Sequence, residues 1–454
     1  MTAVTAQNGL PTTIRVGSRK AAASERQMTG HPDKAISQRA TLVAAIANGR
    51  SLIVNPAHCR DMVHNVAAIR TLGIAIEATT VDGVGAFVVD GVYAHTLCRQ
   101  NVVIEAGNSA TTARMLIALL SGVPASGTIL GNELLSRRPM TEVVEPLRAL
   151  GADIAYRANV GTLPVQVRGQ RLSGGAVEVK VDSAQPVSAI LLASTMASGP
   201  VRIERTAIAR DHTERLLRWS GLDVLETPQS VTGYPGRPHA FEMRIPGDPS
   251  AAAVLAALHL ASTDADEQLA IDDVCLNPRR LGFFTMLRDL GVNVQLEVDA
   301  VKNSPEDVGT ITVQRAGPWR GVTVRSSQLI QSGIDELPLL AALATQASGP
   351  TVIADAAEMR DKDTDRISET VTLLRAFGAE AEATDDGFVV QPSQLTSPPH
   401  VDLPADHRII FAAMVLAVLA GPGTVLLGVD AAATSFPGVF RSLSTFVEWD
   451  EVRI

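Results

Sequence analysis

Aromatic side chains are scarce in this 454-residue chain: 3 Trp, 3 Tyr and 10 Phe amount to 4% of it, although 46% of residues are hydrophobic. Its core must be built from small aliphatic side chains, and the Ala-rich runs predict helices packed closely together. Cysteine is also sparse. Cys59, Cys98 and Cys275 are odd in number, far apart and outside any CxxC or Cys/His ligand spacing, so neither a disulfide framework nor a zinc site is indicated and buried free thiols are expected. Basic charge is in deficit, with 39 Lys and Arg against 48 Asp and Glu and a net charge of −9. Such a chain lacks the basic face that nucleic acids and membrane surfaces require, so neither is expected as a partner and an anion site must be a local cluster. Long apolar runs are missing too. The longest, Ile409 to Ala420, is too short to span a bilayer, and Met1 to Gly30 lacks the apolar core of a secretory signal. The expectation is a soluble, cytoplasmic monomer.

What the chain does have is self-similarity. One unit recurs: a polar start, an Ala/Leu-rich helix, a Gly, a β-branched strand, a charged loop, an amphipathic helix ending near Leu-Gly, and a further strand. The starts at Asp33, Gly107, Asp182, Gly247, Asp335 and Asp406 follow one another at 65 to 88 residues. The first helix of each unit is apolar nearly all round, as a helix buried inside a domain should be, whereas the second keeps one polar face. Three buried helices can pack together behind sheets, so six units group into two globes of three with a cleft between them. The Pro-Gly punctuation around Phe241 to Gly247 marks the boundary.

Parallel inner helices would aim their N-termini at one region, each with about half a positive charge and free backbone N–H groups. That is an anion site made largely of backbone. Its residues fit, since the starts carry Lys34, Asn108, Ser183, Gln185, Asp335, His407 and Arg408, with Arg39 and Arg114 further in. Arginines recur where second helices begin, at Arg138, Arg210 and Arg366.

The motifs at these places resemble, in order, those of the 5-enolpyruvylshikimate-3-phosphate synthase family of enolpyruvyl transferases, over about residues 12 to 446. HPDKAISQRA matches the family's PGDKSISHRA, GNSATTAR its GN(A/S)GTTxR, LLSRRPM its LxxRPM, and DSAQPVSAILLA its SAQxKSAxLLA. MRDKDTDRI matches LRxKESDR and DHRIIFAA matches DHRxAM, with RDHTERLL, IPGDPSAAA, DELPLLA and ATSFP between and after them. The resemblance implies an α/β fold of two similar globes, 28–243 and 1–27 plus 244–454. Each would hold three βαβαββ-type repeats with buried parallel inner helices, an inside-out α/β barrel with the active site in the interdomain cleft and the chain's first strand in the second globe.

It also implies a reaction. A hydroxyl of a phosphorylated acceptor adds to C2 of phosphoenolpyruvate, C3 is protonated, and the tetrahedral intermediate eliminates phosphate, with no metal or organic cofactor. By motif, Lys34, Asn108, Ala110, Arg138, Gln185, Arg366 and Arg408 would bind phosphoenolpyruvate, the planar arginine forks suiting both of its oxyanion groups. Arg39, Ser183, Ala184, Gln185, Arg210, Asp335 and Lys362 would bind the acceptor. Asp335 would be the base, Asp363 the proton shuttle at C3, and Lys34 and Lys362 cationic catalytic contacts. By position alone, Asp335 serves equally well as an ordinary N-cap, and RDKDTDR reads as a solvated mixed-charge face.

Departures from the family pattern fall mostly on the acceptor side. Ala35 stands where the family has a serine that binds the shikimate carboxylate, and His31-Pro32 replaces a pliable Pro-Gly. Asp363 replaces a glutamate and is one methylene shorter. Ala110 stands where many members have glycine, which narrows the phosphoenolpyruvate pocket and predicts weak inhibition by glyphosate. Shikimate 3-phosphate is the expected acceptor. These departures leave open another phosphorylated acceptor, such as the nucleoside monophosphate UMP in specialised metabolism, and a binding paralogue without turnover.

Overall fold

The computed structural model describes residues 10–21, 25–181, 183–206, 209–263, 267–300 and 303–452. It divides into two compact units. Unit 1 holds 32–245 and 303–306, and unit 2 holds 10–31, 246–300 and 307–452.

Six four-stranded sheets share one pairing rule. The first strand of a repeat lies parallel to the second, the second antiparallel to the fourth, and the fourth antiparallel to the third. In the repeat after Asn101, Val102–Glu105 runs parallel to Ser126–Leu130, which pairs antiparallel with Val165–Arg168, itself antiparallel to Asp153–Tyr156. A helix joins the first two strands and another joins the second and third, which gives the βαβαββ order.

Three repeats are completed by strands remote in sequence. Unit 1's first sheet takes its parallel strand from Glu242–Arg244, at the unit's far end, against Leu52 to Val54. In unit 2, Glu25–Thr29 runs parallel to Gln268 to Asp272, and Thr13–Arg19 lies between Val425–Leu427 and Val447–Glu451. The boundary expected at residue 28 therefore falls inside a paired strand of unit 2, and that expected after 243 cuts Glu242–Arg244. Ladder hydrogen bonds move both breaks, to 31/32 and 245/246. A further crossing was not foreseen. Between strands Val292–Val298 and Val308–Arg315 the chain sends residues 303–306 into unit 1, where Asn303 Nδ2 donates to the Glu242 carbonyl at 2.7 Å.

Unit 1 contains α1 (Lys34–Ile46), α2 (Arg60–Thr71), α3 (Ala110–Ser121), α4 (Thr141–Ala149), α5 (Ala184–Ser194) and α6 (His212–Trp219). Unit 2 contains α7 (Pro249–Ser262), α8 (Gly282–Leu290), α9 (Ser327–Gly333), α10 (Leu337–Ala344), α11 (Arg366–Ala376), α12 (His407–Ala420) and α13 (Val439–Phe446). The inner helices are α1, α3 and α5 in unit 1 and α7, α10 and α12 in unit 2. In α7 every residue from Pro249 to Ala261 is buried, as a nearly all-apolar helix requires. Outer helices bury one face, as α2 does with Met62, Val66 and Ile69.

Of the starts read from sequence, Asp33 and Asp406 are themselves caps, and Ser109 and Asp248 cap within two residues of Gly107 and Gly247. Asp33, Ser109, Ser183, Asp248 and Asp406 each accept a backbone N–H of the helix that follows, and Pro249 occupies the first turn of α7, where its missing N–H costs nothing. Asp182, expected to open the third repeat, lies outside the described residues. Cys59 and Cys275 are buried free thiols, and burial together with Asp61 pushes the Cys59 thiol up to about 12. Cys98 is exposed, contrary to expectation.

Candidate active site

In unit 1 the polar groups gather at the helix starts. Lys34, first residue of α1, salt-bridges Asp61 at 3.0 Å. One turn on, Arg39 is only 4% exposed, and its guanidinium ties three elements together: Nε donates to Thr213 Oγ1 (3.0 Å), Nη2 to Ser188 Oγ (3.1 Å) and Nη1 to the Ala35 carbonyl (3.0 Å). Thr213 in turn donates to Ser188 Oγ at 2.8 Å. Gln38 Nε2 reaches Ser109 Oγ at 2.6 Å and Thr112 Oγ1 at 3.0 Å, joining the starts of α1 and α3. These contacts bring the inner-helix N-termini to one side of the unit, as parallel packing demands.

Gln185 is positioned by a residue that the sequence placed near the helix starts without assigning it a ligand. Arg114, 3% exposed on α3, donates Nη1 to Gln185 Oε1 at 2.6 Å and Nη2 to the Pro139 carbonyl at 2.8 Å, with Glu142 at 3.1 Å. A charged residue on an otherwise apolar helix was the signal for it. Asn108 lies in the turn that begins at Gly107 (φ 59°), its Oδ1 buried without a hydrogen-bond partner, and Ala110 opens α3 at 4% exposure. Ser183 and Ala184 begin α5. Arg138 follows the 3-10 turn Leu135–Arg137, and Arg210 lies two residues ahead of α6; both are half-buried.

Unit 2 gathers the other predicted residues. Asp335 lies in the 3-10 turn Ile334–Glu336, one residue ahead of the α10 cap position, so the N-cap reading gives way. Its carboxylate faces two arginines: Arg366 Nη1 donates to Oδ1 at 2.9 Å, and Arg408 Nη2 lies 3.6 Å from Oδ2. Arg366, first residue of α11 and 3% exposed, also donates Nε to Asp406 Oδ2 at 2.7 Å and approaches Asp363 at 3.8 Å. Burial alone would lower the Arg366 pKa, but Asp406, Asp335 and Asp363 outweigh it and hold the guanidinium charged, above the usual arginine range.

The RDKDTDR run is not a simple solvated face. Lys362 pairs with Glu358, to which Gln331 also donates at 2.9 Å. Burial favours the neutral form of Glu358, yet Lys362 and these hydrogen bonds keep its pKa below the usual glutamate value. Asp363 lies 3.8 Å from His407 Nδ1. Asp363, Asp406 and His407 bring possible metal-ligating atoms within 4.8 Å of one another, and Arg366 lies against both carboxylates. The departure at His31 is structural: its ring packs on Phe436 at 4.8 Å and its carbonyl accepts from Asp248 N at 2.6 Å.

Sequence reasoning missed Asp61, Glu336 and Glu358, which hold predicted cations, and it treated Asp406 as a helix start only. The predicted residues fall into two sets. Lys34, Arg39, Asn108, Ala110, Arg138, Ser183, Ala184, Gln185 and Arg210 belong to unit 1, and Asp335, Lys362, Asp363, Arg366 and Arg408 to unit 2.

Two units of three βαβαββ repeats, with cations at buried helix starts, define the inside-out α/β architecture of the enolpyruvyl transferases. Comparison with known proteins makes this specific. The profile of EPSP synthase (3-phosphoshikimate 1-carboxyvinyltransferase) matches residues 20–443, so the chain belongs to that family and is an enolpyruvyl (1-carboxyvinyl) transferase. A 3-phosphoshikimate 1-carboxyvinyltransferase of Chloroflexus aggregans is 38% identical over 425 residues, 92% of this chain and 95% of that protein. One of Bacillus pumilus is 35% identical over 414 residues, covering 90% and 94%. Among solved structures, an EPSP synthase from Acinetobacter baumannii superposes with a TM-score of 0.82 at 28% identity, over 96% of this chain and 99% of that one. The enolpyruvyl transferase NikO from Streptomyces tendae, at 18% identity and a TM-score of 0.72 over 97% and 98%, shares the fold.

Proposed function

We propose that the chain transfers the enolpyruvyl group of phosphoenolpyruvate to a hydroxyl of shikimate 3-phosphate. The observation that carries this reading is Asp335, a carboxylate set against Arg366 at 2.9 Å and Arg408 at 3.6 Å, so that a base adjoins an oxyanion site. Asp335 takes the acceptor's hydroxyl proton as the oxygen adds to C2. Asp363, beside His407, delivers a proton to C3. The tetrahedral adduct then expels inorganic phosphate as a proton is lost from C3 and the double bond re-forms.

Lys34, Arg138, Arg366 and Arg408 bind the carboxylate and phosphate of phosphoenolpyruvate, with Asn108, Ala110 and Gln185 beside them. Arg39, Ser183, Ala184, Gln185, Arg210 and Lys362 bind the acceptor. Relatives that carry the 3-phosphoshikimate name over nine-tenths of the chain support this acceptor. All of these residues come from one chain, so a monomer suffices, and such highly charged substrates suit a cytoplasmic reaction.

The test is phosphate release from phosphoenolpyruvate with a panel of acceptors. Turnover confined to shikimate 3-phosphate is expected. Turnover confined to a nucleoside monophosphate, or none with any acceptor despite saturable phosphoenolpyruvate binding, would overturn it.

A further inference from the structure

Glu336 follows the proposed base directly, yet its side chain is only 3% exposed and turns toward other groups. Arg408 Nη1 donates to Glu336 Oε1 at 3.1 Å. The same oxygen accepts the hydroxyl of Ser250, in the first turn of α7. Ser250 Oγ accepts Arg280 Nη2 at 3.1 Å, and that nitrogen also donates to Asp248 Oδ1 at 2.8 Å. Asp248 caps α7 by accepting Ser250 N at 2.8 Å. Arg280 and Ser250 are each 4% exposed.

We propose that Glu336, held by Ser250 and Arg280, is a positioning residue that presents Arg408 to an oxyanion of phosphoenolpyruvate. The donors and acceptors along this chain have one consistent direction. Arg280 can only donate, so Ser250 Oγ accepts from it and must spend its own proton on Glu336 Oε1, which also accepts from Arg408. Buried charge-assisted bonds of this kind are the stronger sort, and they fix a guanidinium whose long stem would otherwise sample many rotamers. Glu336 engages Nη1 only. Nη2 stands 3.6 Å from Asp335, beyond good hydrogen-bond range, and Nε is buried without a hydrogen-bond partner, so the donors on that edge of the fork are not spent on Glu336 or Asp335. The chain of contacts runs through the starts of α7, α10 and α12, which makes the aim of Arg408 a property of how the three inner helices pack.

The inference rests on the reading of Arg408 as a phosphoenolpyruvate ligand, and the experiment separates the two. Steady-state phosphate release is measured on Ser250→Ala, Glu336→Gln, Glu336→Ala, Arg408→Lys and the Ser250→Ala/Arg408→Lys double variant, with each substrate varied in turn. Ser250→Ala should raise the phosphoenolpyruvate KM about tenfold, the scale of one hydrogen bond to a charged group. The shikimate 3-phosphate KM and kcat should move less than about threefold. Glu336→Gln keeps an acceptor oxygen and should cost less than Glu336→Ala, and Ser250→Ala should add little once Arg408 is lysine. An unchanged phosphoenolpyruvate KM in Ser250→Ala, or an equal rise for both substrates, would overturn the positioning role while leaving Arg408 as a ligand. So would a full Ser250→Ala effect in the Arg408→Lys background. An unchanged phosphoenolpyruvate KM in Arg408→Lys itself would remove the ligand assignment and the positioning role together.

Discussion

Glu214 lies in the first turn of α6 with 1% of its surface exposed, and its Oε2 is buried without a hydrogen-bond partner. Burial pushes its carboxyl from the ordinary 4.5 up to about 7; Asp211 and Glu226 add to the rise, while its own backbone N–H and Arg205 oppose it. In the folded chain the group therefore holds a proton that the unfolded chain releases near pH 4.5. Stability depends on pH as the difference in protons bound by the unfolded and folded states, and here the folded state binds more. The contribution is full below about pH 4.5 and is lost as pH rises through about 7. Its upper limit is about 3 kcal/mol, at 1.36 kcal/mol per pH unit between the two values.

Glu214→Gln is the direct test, because an uncharged side chain of the same size does not titrate. Hydrogen exchange of the amides in 212–219, corrected for intrinsic rates, gives the opening free energy of α6 at several pH values. Between pH 5 and pH 8 the variant should gain about 2 to 3 kcal/mol on the wild type. Profiles that stay parallel to within about 0.5 kcal/mol would refute the assignment of a protonated carboxyl. The outcome bears on the site, since Thr213, the preceding residue, accepts the hydrogen bond from Arg39 Nε.

Three further outcomes concern catalysis. Asp335→Asn keeps an acceptor for Arg366 but removes the base, so kcat for phosphate release should fall by about 10² to 10⁴ while phosphoenolpyruvate binding persists; a kcat within about threefold of wild type would sink the assignment. Asp363→Asn should lower kcat by a similar factor, whereas Asp363→Glu, which restores reach but keeps the acid, should retain most of it; equal losses in both would argue against a proton-transfer role. Ala110→Gly removes a buried Cβ at the start of α3 and should make the enzyme more sensitive to glyphosate, measured as the inhibition constant against phosphoenolpyruvate; an unchanged constant would show that this Cβ does not narrow the pocket.

The parts legible in the sequence are those with a local physical signature. A helix apolar all round, as in α7 or α12, can only be a buried one, and Asp33, Asp248 and Asp406 announce helix starts because a side-chain oxygen satisfies an orphan N–H there. The strand exchange was less visible. Nothing local in Glu25–Thr29 or Glu242–Arg244 says which ladder each completes, since its partners lie some 240 and 190 positions away. The segment 303–306 reads as a polar loop, yet Glu306 is buried with Oε1 2.6 Å from His212 Nδ1, and its pKa is held low against burial by His212 and Arg215. The same limit hid Glu336, whose bond to Ser250 spans 86 residues.

An anion site lined with carboxylates looks self-defeating, but the electrostatics of unit 2 explain it. Arg366 is 3% exposed, and an isolated guanidinium there would carry a desolvation penalty of several kcal/mol. Asp406 offsets that penalty from one side with a 2.7 Å bond at Nε, and Asp335 from the other with a 2.9 Å bond at Nη1. Glu336 does the same for Arg408 at Nη1, and Glu358 for Lys362. Each cation is thus oriented by an acid that engages only part of it. A chain with a net charge of −9 can in this way hold a local anion site without a basic surface. On the proposed assignment the acids also set a condition on the ligand: only an oxyanion bearing enough charge to compete with Asp335 and Asp363 for the remaining donors is drawn in, which favours a phosphorylated, carboxylated substrate over a neutral one.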